Sequence, residues 1–128
     1  MWTDVWTVPL PSTTATVPVA RAGVRQFLNG HPMAWDAELV ASELVSNAVI
    51  HGGGPELKLT VHRGKTAVRI EVTNSGSDRV PRASRPDDNR EGGRGLLLVE
   101  QYSTRWGHDG VHDRYMTIWA ELDAEETR

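Results

Sequence analysis

The sequence predicts an α+β fold, a two-layer sandwich with about three helices on one face of a mixed sheet of roughly four to five strands. Two observations carry this. Apolar residues recur at three- and four-residue intervals in some stretches and alternate residue by residue in others. The two kinds of stretch follow one another unevenly, with hairpin signals in place of regular strand–helix–strand units.

Residues Met1 to Val8 alternate loosely, with Trp2, Trp6 and Val8 as the candidate buried side. They predict an edge strand that Pro9 and Pro11 close. A Ser/Thr-rich link, Ser12 to Thr16, leads to Pro18, which suits the first turn of a helix. Ala20, Val24, Phe27 and Leu28 give that helix an apolar side up to about Asn29, and Asn29-Gly30-His31-Pro32 breaks it. The next helix, Trp35 to His51, is the one around which the rest is organised. Ala37, Ala41, Leu44 and Ala48, with Val45 and Val49 beside them, form its buried stripe. Gly52-Gly53-Gly54-Pro55 ends it.

Leu57, Leu59 and Val61 then alternate with Lys58, Thr60 and His62, Arg63-Gly64-Lys65 turns, and Ala67 to Val72 alternates again, the pattern of a β-hairpin. From Asn74 to Gly92 the chain is polar; a loop of that length in a compact domain is a lid or binding loop, or else a disordered segment. Leu96 to Gln101 reads as a helix, and Tyr102 to His108 includes a strand. After an Asp109-Gly110 turn, Tyr115 to Leu122 alternates as the last strand. The expected organisation is a single domain over 1–128, with an N-terminal strand and linker at 1–17 and a frayed tail at 123–128.

At 128 residues, 38% hydrophobic and 24% charged, the chain can bury a core without covalent staples. A net charge of -3 argues against nucleic acid as the main partner. The absence of cysteine excludes disulfides, thiol nucleophiles and cysteine zinc sites. No targeting signal opens the sequence and no apolar run approaches membrane-spanning length, so the expected compartment is the cytoplasm.

Several residues are candidates for chemistry. Glu43, Asn47 and His51 sit four apart, so their side chains stack in one row of the central helix. Most such rows are solvated faces, yet a carboxylate, a neutral amide and an imidazole together also suit a ligand site. Asn47 offers one amide oxygen of the kind magnesium takes, in a shell that waters and phosphates complete. Glu43, one turn back, is then a candidate base for an attacking hydroxyl; without a phosphate ligand it is an ordinary surface carboxylate. Gly92-Gly93-Arg94-Gly95 before a helix is a candidate anion site, or equally a structural turn. It is no Walker loop, because no Lys-Ser/Thr follows, and no dinucleotide fingerprint, because a polar loop precedes it. Asn74-Ser75-Gly76 offers the donor and acceptor that an adenine edge needs, or an ordinary turn. Thr117 could reach a base or could be an exposed strand threonine. His108 and His112 flank a turn and read as loop histidines rather than a zinc pair.

Taken together, Glu43-Leu-Val-Ser-Asn47-Ala-Val-Ile-His51, Val72-Thr-Asn74-Ser-Gly76 and Gly92-Gly-Arg-Gly-Leu-Leu-Leu-Val99 resemble, in order and spacing, the asparagine box and two glycine boxes of the GHKL ATPase superfamily. Within it the chain is similar to the short anti-sigma-factor serine/threonine kinases of actinomycetes, over roughly Pro18 to Leu122. The resemblance implies a Bergerat-type fold, ATP and Mg2+ as cofactors, Glu43 as general base and Asn47 as magnesium ligand. It also implies nucleotide contacts at His51, Asn74, Gly76, Thr117 and a phosphate loop of Gly93, Arg94, Gly95 and Leu96, with the ATP lid at 78–92. The implied partners are a sigma factor and an anti-anti-sigma protein of the STAS type, with homodimerisation implied by the family alone. The alternative is a catalytically weak binding module that sequesters a regulator without phosphotransfer. Asn74 stands where the family has aspartate, a neutral acceptor in place of a charged one, and such a hydrogen bond is weaker by about 1 kcal/mol.

Overall fold

A computed structural model of the chain describes residues 1–52, 54–74, 91–111 and 115–126, and of residues 91–95, 111 and 115 the backbone. Strand β1 (Trp2–Pro11) is followed by helices α1 (Thr16–Phe27) and α2 (Ala34–His51). The hairpin β2 (Glu56–Gly64) and β3 (Ala67–Asn74) comes next, then helix α3 (Glu91–Tyr102), then β4 (Arg105–Val111) and β5 (Tyr115–Asp123). The result is an α+β sandwich, a helical layer on one face of a 5-stranded sheet of order β1-β2-β3-β5-β4.

Every pairing in this sheet is antiparallel, so it is not the mixed sheet the sequence suggests. The connections explain why. β3 and β4, joined through one helix, do run in the same direction, but β5 inserts between them and opposes both. The α1–α2 pair carries the chain back to the end of β1 that it left, so β2 returns beside β1.

The core follows from strand alternation. Val68, Ile70 and Val72 of β3 lie in register with Leu59 and Val61 of β2 and with Leu122, Ala120 and Ile118 of β5, and all are buried against the helices. The buried stripe of α2, Ala37, Val40, Ala41, Leu44, Val45 and Ala48, closes over them. Each buried valine or leucine contributes about 1.5–3 kcal/mol, so this contact dominates the cohesion of the two layers.

Local anchors fix where the helices begin and end. β1 does not stop at Pro9 but runs to Pro11, because an edge strand has one side with no ladder to break. Thr16 Oγ1 donates to the Pro11 carbonyl at 2.6 Å and starts α1, with Pro18 in its first turn. Arg63 donates to the Phe27 carbonyl at 2.9 Å at the other end of α1. His31, buried in the turn between α1 and α2, replaces a side-chain cap on α2. Its Nδ1 accepts from the Met33 N–H at 3.0 Å, so its Nε2 carries the proton and donates to the Gly64 carbonyl at 2.8 Å. Residues 124–126, expected as a frayed tail, are tied in instead. The Ala124 N–H donates to the Thr66 carbonyl at 3.0 Å, and Glu126 pairs with Arg105.

The face of the sheet turned away from the helices is polar and internally paired. Arg69 bonds Glu71 and Glu121 at 2.7 Å each and lies 4.4 Å from the centroid of the Trp119 ring. Burial of Glu121 opposes its charge, yet the bonds from Arg69 and Arg105 outweigh this and hold its carboxyl below the usual range.

Candidate functional site

The site lies where the C-terminal half of α2 meets the end of the sheet. α2 and α3 pack against each other, with Trp35 near the start of α2 edge-on to Tyr102 at the end of α3, ring centroids 6.4 Å apart. An antiparallel course from that contact would carry the first turn of α3, with its unpaired backbone N–H groups and positive dipole end, toward the C-terminal half of α2.

This corrects one element boundary. The glycines at 92, 93 and 95 do not form a loop ahead of a helix that starts at Leu96; α3 starts at Glu91 and includes them. Glycine costs about 1 kcal/mol relative to alanine inside a helix. Burial of Leu96 and Val99 against α2 offsets that cost. Leu96 points its side chain into the core, so it can meet a ligand only through its backbone.

Asn47 departs from the solvated face that its spacing alone allows. It is only 7% exposed, and among the described residues no hydrogen bond reaches its amide. Glu43, one turn earlier, is half-buried and already engaged, as is His51 at the last residue of α2. Among the described residues no group of three or more histidines and carboxylates is placed to hold a metal. A metal at Asn47 would thus draw most of its ligands from a bound anion and water, the habit of magnesium with phosphates.

Asn74 ends the helix-facing row of β3, and its register partners are Leu57 on β2 and Met116 on β5. The row continues to Leu10 on β1 and Gly110 on β4, so Asn74 is the polar member of an otherwise apolar line across the sheet. Leu57 and Met116 are buried, which makes a flat apolar floor with an amide at its centre. The same amide abuts the C-terminus of α2: a Cβ built on Gly52 would lie 2.5 Å from its Nδ2. Gly52 is five residues beyond Asn47, about 7 Å along the helix axis. Gly52 and Asn74 are therefore neighbours, with His51 next to Gly52 in the chain and Asn47 about one turn further back.

Thr117 is not among them. It pairs with Thr73, and the two hydroxyls are 2.8 Å apart on the outer face of the sheet. Strand alternation puts Met116, not Thr117, on the helix side. Gly76 and residues 78–90 of the lid expected at 78–92 lie outside the described residues, as does the Arg94 side chain, while positions 91 and 92 belong to α3. Gly52, which the sequence offered only as a helix stop, is the site residue that sequence reasoning missed. Its signal, a glycine directly after the polar row, is shared with every helix C-terminus.

A helix carrying carboxylate, amide and imidazole over an antiparallel sheet, packed beside a second helix, is in keeping with an ATPase domain of the GHKL type. Residues 10–120 match the family model described as histidine kinase-like ATPase domain, and the chain belongs to that family. No curated protein matches it in sequence. Among solved structures, a chain of the SiaB–SiaC complex from Pseudomonas aeruginosa is similar with a TM-score of 0.66 at 15% identity, over 91% of this chain and 88% of that one. The NMR structure of the histidine kinase domain of the E. coli osmosensor EnvZ aligns with a TM-score of 0.47 at 14% identity, over 100% of this chain and 92% of that one. Among the described residues no helix is long and apolar enough to cross a membrane.

Proposed function

We propose that this chain is an ATP-binding regulator with serine/threonine protein kinase activity, an anti-sigma factor acting on an anti-anti-sigma partner in the cytoplasm. The observation that carries the reading is Asn47, a polar residue only 7% exposed on the helix that packs against α3. Family membership supports the nucleotide, and the fold likeness to a chain solved in a two-protein complex is in keeping with a protein partner.

Bound MgATP would supply the phosphoryl group and the charge neutralisation for its transfer. The residues of the chain would do the rest. Asn47 Oδ1 would hold the metal, and the backbone N–H groups of the first turn of α3 would donate to the phosphate oxygens. Asn74 receives the amino group of adenine over the floor of Leu57 and Met116. The Glu43 carboxylate takes the proton from the attacking serine or threonine hydroxyl.

A second reading, a module that sequesters its sigma factor without transfer, is favoured by the neutral Asn74 in place of a carboxylate. Titration calorimetry with ATP, with and without magnesium, comes first. Saturable, magnesium-enhanced binding is expected, and Asn47→Ala should weaken it by about tenfold or more, the worth of one ligand contact. No binding to the unaltered protein would remove the nucleotide reading. Labelled ATP with an anti-anti-sigma protein then separates the two readings, since only the kinase labels its partner.

A further inference from the structure

We propose that the outer side of α2, together with the adjoining side of α3, is a docking surface for a basic amphipathic helix of a protein partner. The surface needs no bound nucleotide, so this reading and the nucleotide reading can fail separately.

α2 is apolar on two opposite sides. Ala37, Ala41, Leu44, Val45 and Ala48 face the core and are buried. At about 100° per residue, Trp35, Leu39, Ser46 and Ile50 fall within about 60° of one another on the far side. Trp35 is 70% exposed and Ile50 42% exposed, while Leu39 is half-buried but lies outside the core cluster. α3 widens this strip. Its Tyr102 meets Trp35, and Leu98, one turn before Tyr102 and likewise outside the core cluster, shares that side of the helix. Leu97 beside it is 47% exposed. A helix that is apolar all round is ordinarily buried all round, and here one of its two apolar sides is left open to solvent.

Length and charge select the occupant. From Trp35 to Ile50 the strip runs about 22 Å, the length of a partner helix of about 15 residues laid along it. α2 carries Asp36, Glu38 and Glu43 and neither lysine nor arginine. Glu38 is turned to α1, where Arg25 and Arg21 hold it. Asp36 and Glu43 lie together on the opposite flank of the strip, and the whole chain has a net charge of -3. Lysine or arginine beside the apolar stripe of a partner helix complements that edge. A second copy of this chain, presenting the same strip, would set carboxylate against carboxylate, and an anionic membrane surface is disfavoured for the same reason.

The test reads the fluorescence anisotropy of a labelled helical peptide against the full chain. The peptide has about 15 residues of leucine and lysine, with its leucines on one face. Saturable binding is expected. A peptide with the same leucine face and glutamate for lysine should bind about tenfold or more weakly, as should a leucine and lysine peptide of scrambled order. Leu39→Ser and Ile50→Ser should each weaken the first peptide by about tenfold with little change in urea midpoint, because both side chains lie outside the core cluster. Asp36→Lys should weaken it and flatten its salt dependence. Val19→Ser, at an exposed position of α1, should leave its affinity where it was. No saturable binding, equal affinity for the glutamate peptide, or an affinity that neither Leu39→Ser nor Ile50→Ser moves would overturn the inference. So would a wild-type dimer in sedimentation velocity that these two variants dissolve, since a second copy would then be the occupant. ATP binding measured in parallel reports on the nucleotide site alone.

Discussion

The two halves of α2 teach opposite lessons about polar residues on a helix. In the first half, polar side chains are used up within the protein. Glu38 bonds the Arg25 guanidinium through both oxygens and lies near Arg21, while Trp35, 70% exposed, braces the end of α3. In the second half, the hydrophobic stripe is equally buried, but Asn47 enters it with no bonding partner among the described residues, and Asn74 closes in beside Gly52. Satisfied polar groups hold a helix in place, whereas a polar residue that enters a buried stripe near the end of the sheet is a candidate for binding.

The sharpest break between the halves is expected in catalysis. Glu43→Gln should lower phosphoryl transfer by about a hundred- to ten-thousand-fold, the range for loss of a general base, with ATP affinity and melting temperature nearly unchanged. Glu38→Gln, five residues earlier, should leave the transfer rate where it was. Equal effects on transfer from both would erase the distinction. A second comparison uses the stripe the halves share. Leu44→Ala should cost about 2–5 kcal/mol of unfolding free energy by urea titration, because Leu44 is fully buried between the layers. Its loss should be felt in both halves.

The smallest effect should appear in the pH dependence of stability. The hydrogen bond from Arg25 holds the Glu38 carboxyl below the usual carboxylate range. A carboxyl with a lowered folded value contributes stability that is complete above its unfolded value and is lost as pH falls through the folded one. The urea midpoint should therefore decline on the acid side, and Glu38→Gln should make that decline shallower without changing its shape at neutral pH and above. The pair is solvent-exposed on the arginine side, so the shift should be small and should shrink with salt.

Much of this fold was legible before any coordinates. The α2 stripe, the β2–β3 hairpin and β5 followed from period alone, because burial on one face imposes 3.6 or 2 on the sequence. The helical start at Glu91 did not. Glycine-rich sequence has low helix propensity, and only the packing of Leu96 and Val99 on α2 overrides it. The pairing of β5 between β3 and β4 was equally hidden, since strand order depends on contacts far apart in the chain.

By itself the sequence determined which residues share a face: Glu43, Asn47 and His51 in one helical row, and Val68, Ile70 and Val72 in one row of β3. Only the tertiary structure decided what those faces meet. It set Thr117 on the outer face beside Thr73, buried Asn47 without a partner among the described residues, and brought Gly52 against Asn74, 22 positions further on. Periodicity is local and can be read along the chain, whereas the meeting of two elements depends on how whole layers pack, which no single stretch encodes.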